Sequence, residues 1–152
     1  HSFAFTDPLS NTGCIYPAYL VKVLDQTGEK FFSRVIFTYA HDYSIQAVAS
    51  GIVDAAGVSG LIFDYIQKIH PEKTAALKIL KKSMPFGMPP VVVNPKIDPN
   101  LKTRLQKIFL DMGDDAEGRA ILFPLGIERF VPGNDSEYGF IRAMNSFISD
   151  KK

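Results

Sequence analysis

Within its first seventy residues the chain alternates short β-branched or aromatic runs with helical apolar stripes, and this alternation restricts its fold more than any other feature. Phe3 to Thr6 reads as a short buried strand ended by Asp7-Pro8. A helix is expected from about Thr12 to Leu24, with Pro17 tolerated in or near its first turn. After the loop Asp25-Gln26-Thr27-Gly28, the run Arg34 to Thr38 (RVIFT) has the composition of a strand. Ile45, Val48, Ala49 and Ile52 then recur at the spacing of one helical face, with Gly51 near the helix end. Val53 to Ala56 gives a third strand, and Leu61, Ile62, Tyr65, Ile66 and Ile69 mark a further amphipathic helix. Strand–helix units in this order predict an α/β fold with a mainly parallel sheet flanked by helices.

The second half follows another pattern. Leu77 to Ser83 reads as a strand, Met84 to Pro90 as a proline-rich crossing, and Val91 to Val93 as a buried strand. Asp98-Pro99 is a strong helix start, with Asp as N-cap and Pro in the first position. Leu101, Leu105, Ile108, Phe109 and Met112 form that helix's apolar face, and Gly113 stops it. Further helices are expected near Ala116 to Leu122 and Ser136 to Ile148. An apolar helix stripe must bury itself against another layer, and strand 91–93 alone is too little sheet for these helices. The expected division is therefore an α/β lobe over residues 1–80 and an incomplete, helix-rich second lobe over 81–152.

Charge narrows the function classes. Lys plus Arg number 17 against 16 Asp plus Glu, so the basic stripe of a nucleic-acid binder is missing. Near neutrality does not exclude an anion site, because backbone amides alone build one. Cys14 is the single cysteine, which rules out an internal disulfide and any cysteine-based metal cluster. No motif asks for a cofactor, and no run of about 18 apolar residues reads as a membrane span. His1-Ser2 leads straight into a strand-like segment without a leader, which creates the expectation of a piece of a longer protein.

The chemistry-bearing segment is Phe5-Thr6-Asp7-Pro8-Leu9-Ser10-Asn11-Thr12-Gly13. A strand ends, a turn follows, and Ser-Asn-Thr-Gly opens a helix whose first N–H groups lack internal acceptors and carry the positive end of the dipole. Ser10 and Thr12 add hydroxyls, and Gly13 permits close approach to the backbone. Two readings stay open on these residues alone: an oxyanion site, or an ordinary N-cap. His41 and the pair Ser59-Gly60 also follow predicted strands, where ligands of open α/β sheets bind; for them too a capping role is the alternative. Enzymatic readings are weaker. Cys14 with His41 would make a nucleophile–base pair, but Cys14 falls inside a predicted helix, and no catalytic or nucleotide-binding motif is present.

Taken in order, FTDPLSNTG (5–13), FSRVIFT with His41 three residues on, AVASGIVDAA (47–56), PFGMPPVVV (85–93) and LGIERFVPGND (125–135) resemble the phosphate/phosphite/phosphonate-binding family of periplasmic proteins. The resemblance covers essentially the whole chain. It implies a type II, two-lobed venus-flytrap fold that hands a small phosphorus oxyanion to an ABC importer, in the periplasm and without catalysis. Some relatives are instead extracytoplasmic, membrane-tethered sensing domains of kinases or cyclases. Carried over residue by residue, the resemblance implies ligand-binding roles for Ser10, Asn11, Thr12, Gly13 and His41, with Ser59 added from its position after the third strand. Members that take aminophosphonates place acidic residues where this chain has Leu61 and, roughly, Pro89, so a small ligand without an amine is expected: phosphate, phosphite or a short alkylphosphonate. The family's first-lobe strands precede the first residue here, which makes a homodimer through the incomplete lobe a further expectation.

Overall fold

A computed structural model describes residues 1–150. Three strands, β1 (Ser2–Phe5), β2 (Arg34–Phe37) and β3 (Ala55–Ala56), form a parallel sheet in the order β2-β1-β3. Ser2 pairs with Arg34 and Phe5 with Phe37, while Phe3 and Ala4 pair with Ala55 and Ala56. Because all three strands run the same way, their carboxyl ends share one edge of the sheet.

Helices occupy the crossovers that parallel pairing requires. A π-helical turn (Asn11–Ile15) runs into α1 (Tyr16–Val23), with Pro17 in the first turn, where its missing N–H is harmless. The short α2 (Gly28–Phe31) precedes β2, and α3 (His41–Ala49) and α4 (Gly60–Ile69) flank β3. Gly51 has a φ of 72° at the exit of α3, a left-handed conformation that costs glycine nothing. Ala4, Ala47 and Val53 make the centre of the core, with Ile36, Val48 and Ala56 packed around them. Small side chains at this centre bring α3 close to the sheet.

The chain divides into two compact units, one of residues 1–86 together with Tyr138 onward, the other of Gly87–Glu137. This differs from a second lobe running continuously from residue 81 to the end. The terminal helix α7 (Gly139–Ser149) packs on α1. Its apolar stripe finds Tyr19, which meets Phe140 and Phe147 edge-on at centroid distances of 5.9 and 5.7 Å, and Met144 is wholly buried. Phe86 stacks on Phe140 and meets Tyr16, so the same patch also anchors the end of the first long segment.

The second unit holds α5 (Pro99–Asp111) and α6 (Ala116–Leu122). Both start as their sequences predict. Asp98 Oδ1 accepts from the Leu101 amide at 2.9 Å, and Asp115 Oδ2 from the Gly118 amide at 2.7 Å. Leu122 is buried, and Phe109 meets Phe130 edge-on.

Two predicted strands do not form. Leu77 to Ser83 and Val91 to Val93 have no ladder partner among the described residues and belong to no sheet. Their composition suits a strand, but a strand exists only through a neighbour's N–H and C=O groups, and none is presented here. Val92 is accordingly 79% exposed and Leu80 76%.

Candidate anion site at the carboxyl edge of the sheet

Beyond Phe5 the chain is tied down by local bonds before the helix starts. Asp7 Oδ1 accepts from the Leu9 amide at 2.8 Å, and Asp7 O accepts from the Ser10 amide at 2.9 Å. Ser10 then has the extended backbone of an N-cap, and its Oγ accepts from the Gly13 amide at 3.1 Å. That bond uses the hydroxyl's acceptor side and leaves its proton free to donate outward. The Ser10 carbonyl takes both the Cys14 and Ile15 amides, at 3.0 and 2.9 Å. The amides of Asn11 and Thr12, at the very start of the helix, have no intrahelical acceptor.

Gly13 explains how this turn sits so close to the sheet. It is buried, and its carbonyl accepts from the Thr6 amide at 3.1 Å. A Cβ at this position would collide with Thr6 Oγ1. A side chain at Gly57, just after β3, would likewise fall 2.5 Å from Pro17 Cγ and 3.2 Å from Gly13 O. Two glycines therefore let the helix start rest on the ends of β1 and β3. Thr6 is 2% exposed, and its hydroxyl has no hydrogen-bond partner among the described residues, as is the case for Asn11 Oδ1.

His41 is placed by a second small network. Thr38 Oγ1 lies 2.6 Å from Ser44 Oγ, which is fully buried, and 3.0 Å from the Ala40 carbonyl. This buckle turns the chain from β2 into α3. Tyr39, in between, has a φ of 60° and is largely exposed. The left-handed region is costly for a bulky side chain, so the surrounding turn imposes it. His41 Nδ1 accepts from the Ser59 amide at 3.1 Å. Burial pushes its pKa below the ordinary histidine value, against the opposing pull of neighbouring Asp42.

Of the residues singled out from sequence, Ser10 and Gly13 bond directly, as do His41 and Ser59. All six lie on segments that leave the carboxyl ends of the three strands. Ser59 is the N-cap of α4, but its side chain makes no capping bond; its backbone amide is what meets His41. Thr6, Thr38, Ser44 and Gly57 were not singled out. The available signal was a threonine ending each of the first two predicted strands. Leu9, Tyr39 and Leu61 stand exposed, one at each junction.

Other chemistry lies elsewhere or is absent. Asp54 accepts from the amide and hydroxyl of Ser2 at the opposite end of the strands. The Cys14 thiol is held protonated, its pKa raised by burial and then by the Asp7 charge, the reverse of what a nucleophile needs. Among the described residues no group of three His, Cys, Asp or Glu side chains is suited to a metal ion, and no helix is long and apolar enough to cross a membrane.

Comparison with known proteins gives this edge a family context. Residues 1–138 match the family model described as ABC transporter, phosphonate, periplasmic substrate-binding protein. The chain is 27% identical over 146 residues to the phosphonates-binding periplasmic protein of Escherichia coli, covering 96% of this chain and 43% of that protein. It superposes with a TM-score of 0.82 and 25% identity on a binding protein component of an ABC phosphonate transporter from Pseudomonas aeruginosa, covering 97% of this chain and 49% of the other. A Prochlorococcus marinus protein solved in complex with methylphosphonate gives a TM-score of 0.76 at 18% identity, over 95% of this chain and 56% of that one. The chain thus spans about half the length of these relatives. With a type II α/β sheet and a family match across most of its residues, the chain belongs to the periplasmic substrate-binding proteins of phosphonate ABC transporters.

Proposed function

We propose that this chain supplies one part of a site that captures a small phosphorus oxyanion for an ABC importer in the periplasm, and that it catalyses no reaction. The observation that carries this reading is the Ser10 junction. A hydroxyl with its proton free, two helix-start amides without acceptors and a glycine-bared backbone converge at the carboxyl edge of a parallel sheet. Membership in a phosphonate-binding family supports the same choice of ligand. Neutralisation comes from dipoles and hydrogen bonds, since no Lys or Arg lies in the segment 5–13.

Asn11 and Thr12 would present amides, Ser10 and Thr12 hydroxyls, and His41 its ring. Leu9, Tyr39 and Leu61 at the three junctions suit a hydrogen, hydroxyl or short alkyl substituent on phosphorus better than an ammonium group, which would need a carboxylate partner. Phosphate, phosphite and methylphosphonate are the ligands to compare. Cys14 has no part in this scheme, so its replacement by Ser should leave binding unchanged.

Hydrogen bonds to a charged oxygen contribute roughly 1.5–3 kcal/mol each. Losing the hydroxyls of both Ser10 and Thr12 should therefore weaken methylphosphonate binding by about a hundredfold or more. Titration of the chain and its Ser10→Ala/Thr12→Ala variant, followed by amide chemical shifts at residues 10–13, measures this. Equal affinity in the two proteins would make the segment an ordinary helix cap.

A further inference from the structure

Taking the oxyanion reading of this edge as its basis, we infer that the Ser59 amide locks His41 as a neutral Nε2–H donor, and that this edge binds bare anionic oxygens, those of alkylsulfonates included. The geometry starts at Nδ1. It accepts the Ser59 N–H at 3.1 Å, so Nδ1 carries a lone pair and the ring proton of the neutral form resides on Nε2. Protonating Nδ1 would set two N–H groups against each other and break that bond. Ser59 acts here through its backbone, as a positioning residue, and its hydroxyl is not required.

The surroundings of His41 contain charges of both signs. Asp42 follows it on α3, and Tyr65, His70 and Lys73 line the same groove from α4 and the turn beyond. Asp42 favours the imidazolium, and burial of the ring opposes it. The desolvation of His41 outweighs Asp42. With its pKa below the ordinary value, the group binds a proton more weakly folded than unfolded. It costs no stability at neutral pH and destabilises the fold as pH drops through the ordinary histidine range.

The same accounting applied to the other groups favours donation to a ligand over acceptance from it. Ser10 Oγ has given one lone pair to the Gly13 N–H and keeps its proton to donate, the Ser10 carbonyl is occupied twice, and Asn11 Oδ1 is enclosed and closed to a ligand. Asp7 is the carboxylate next to this turn, and its Oδ1 is folded back on the Leu9 amide. A phosphonate monoanion brings a P–OH proton that needs an acceptor, whereas a dianion brings three bare oxygens. A sulfonate also has three bare oxygens at every pH near neutrality, and nothing in this set of groups rejects it.

Nitrogen-15 spectra of the His41 ring in the ligand-free chain test the lock directly. Nε2 should carry the proton and Nδ1 should be bare from about pH 8 down into the mildly acid range, below the ordinary histidine pKa. Ser59→Ala should leave that pattern unchanged. Ser59→Pro removes the amide proton at a φ of −69°, which proline adopts readily, and should mix the tautomers. Methylphosphonate and methanesulfonate should shift the same amides at residues 10–13. Below the phosphonate's second ionisation its apparent affinity should rise with pH, while that of methanesulfonate stays level. An Nδ1-protonated or charged ring at neutral pH overturns the inference. So does a methylphosphonate response with no methanesulfonate response. If neither anion moves those amides, the anion site itself is misplaced and the inference falls with it, whatever the tautomer.

Discussion

At Gly13 the absence of a side chain decides the local structure, because Thr6 Oγ1 occupies the space a Cβ would need. Gly13→Ala should cost about 1–3 kcal/mol, the range for overpacking a tight interior. It should also displace the Ser10 turn, which a urea titration and the amide shifts of residues 10–13 would read together. A variant as stable as the parent, with unmoved shifts, would mean that Thr6 swings away freely. Tyr39 poses the opposite problem, a bulky residue in a conformation suited to glycine. Tyr39→Gly loses the ring contact with Phe37 but relieves the left-handed strain, whereas Tyr39→Ala loses the ring and keeps the strain. The Gly variant should therefore be more stable than the Ala variant by about 1 kcal/mol. Equal stabilities would indicate that this residue leaves the left-handed region once its ring is gone.

Elements were legible in the sequence where their causes are local. Asp98-Pro99 announces α5 because the cap, the fixed φ and the apolar stripe all lie within one short stretch. The three strands of the sheet are bounded by turn residues, and the helices between them repeat at 3.6 residues. The Ser10 junction was visible for the same reason. What depends on distant partners was not. The β-branched run Val91 to Val93 satisfies every local criterion for a strand and still lacks a ladder, because pairing belongs to two segments and not to one. The bond from the Ser59 amide to His41 spans 18 residues and leaves no trace in composition. The docking of α7 on α1 also escaped a reading by order along the chain, since the helix passes the second unit before returning. Tyr19 is the residue on which that return depends, touching Phe140 and Phe147. Tyr19→Ala should destabilise the unit by about 2 kcal/mol, less than a fully buried aromatic would, and should speed amide exchange in α7 before α3. Exchange rising uniformly through both helices would argue that α7 is no separate cooperative element.

For the whole molecule the decisive feature is the stretch from Leu77 to Val93, which crosses from the first compact unit into the second without joining a sheet. Its amides should exchange within the fastest class of the chain, and protection there comparable to β1 would contradict this description. An unpaired, β-prone backbone is also a template for another chain. The two ends of the stretch differ in that respect. Lys78, Lys81 and Lys82 are interspersed among Leu77, Ile79 and Leu80, and such lysines discourage pairing. Val91, Val92 and Val93 have no charge among them, and Val92 is the most exposed of the three. Self-association should accordingly run through 91–93, giving a concentration-dependent mass in light scattering that rises from monomer towards dimer. Val92→Lys should return the chain to a monomer while leaving the 10–13 amide shifts unchanged, since residues 10–13 belong to the other unit. Self-association that survives Val92→Lys would place the contact elsewhere, and a native chain that stays monomeric at every concentration would show that the short valine run is too brief to pair.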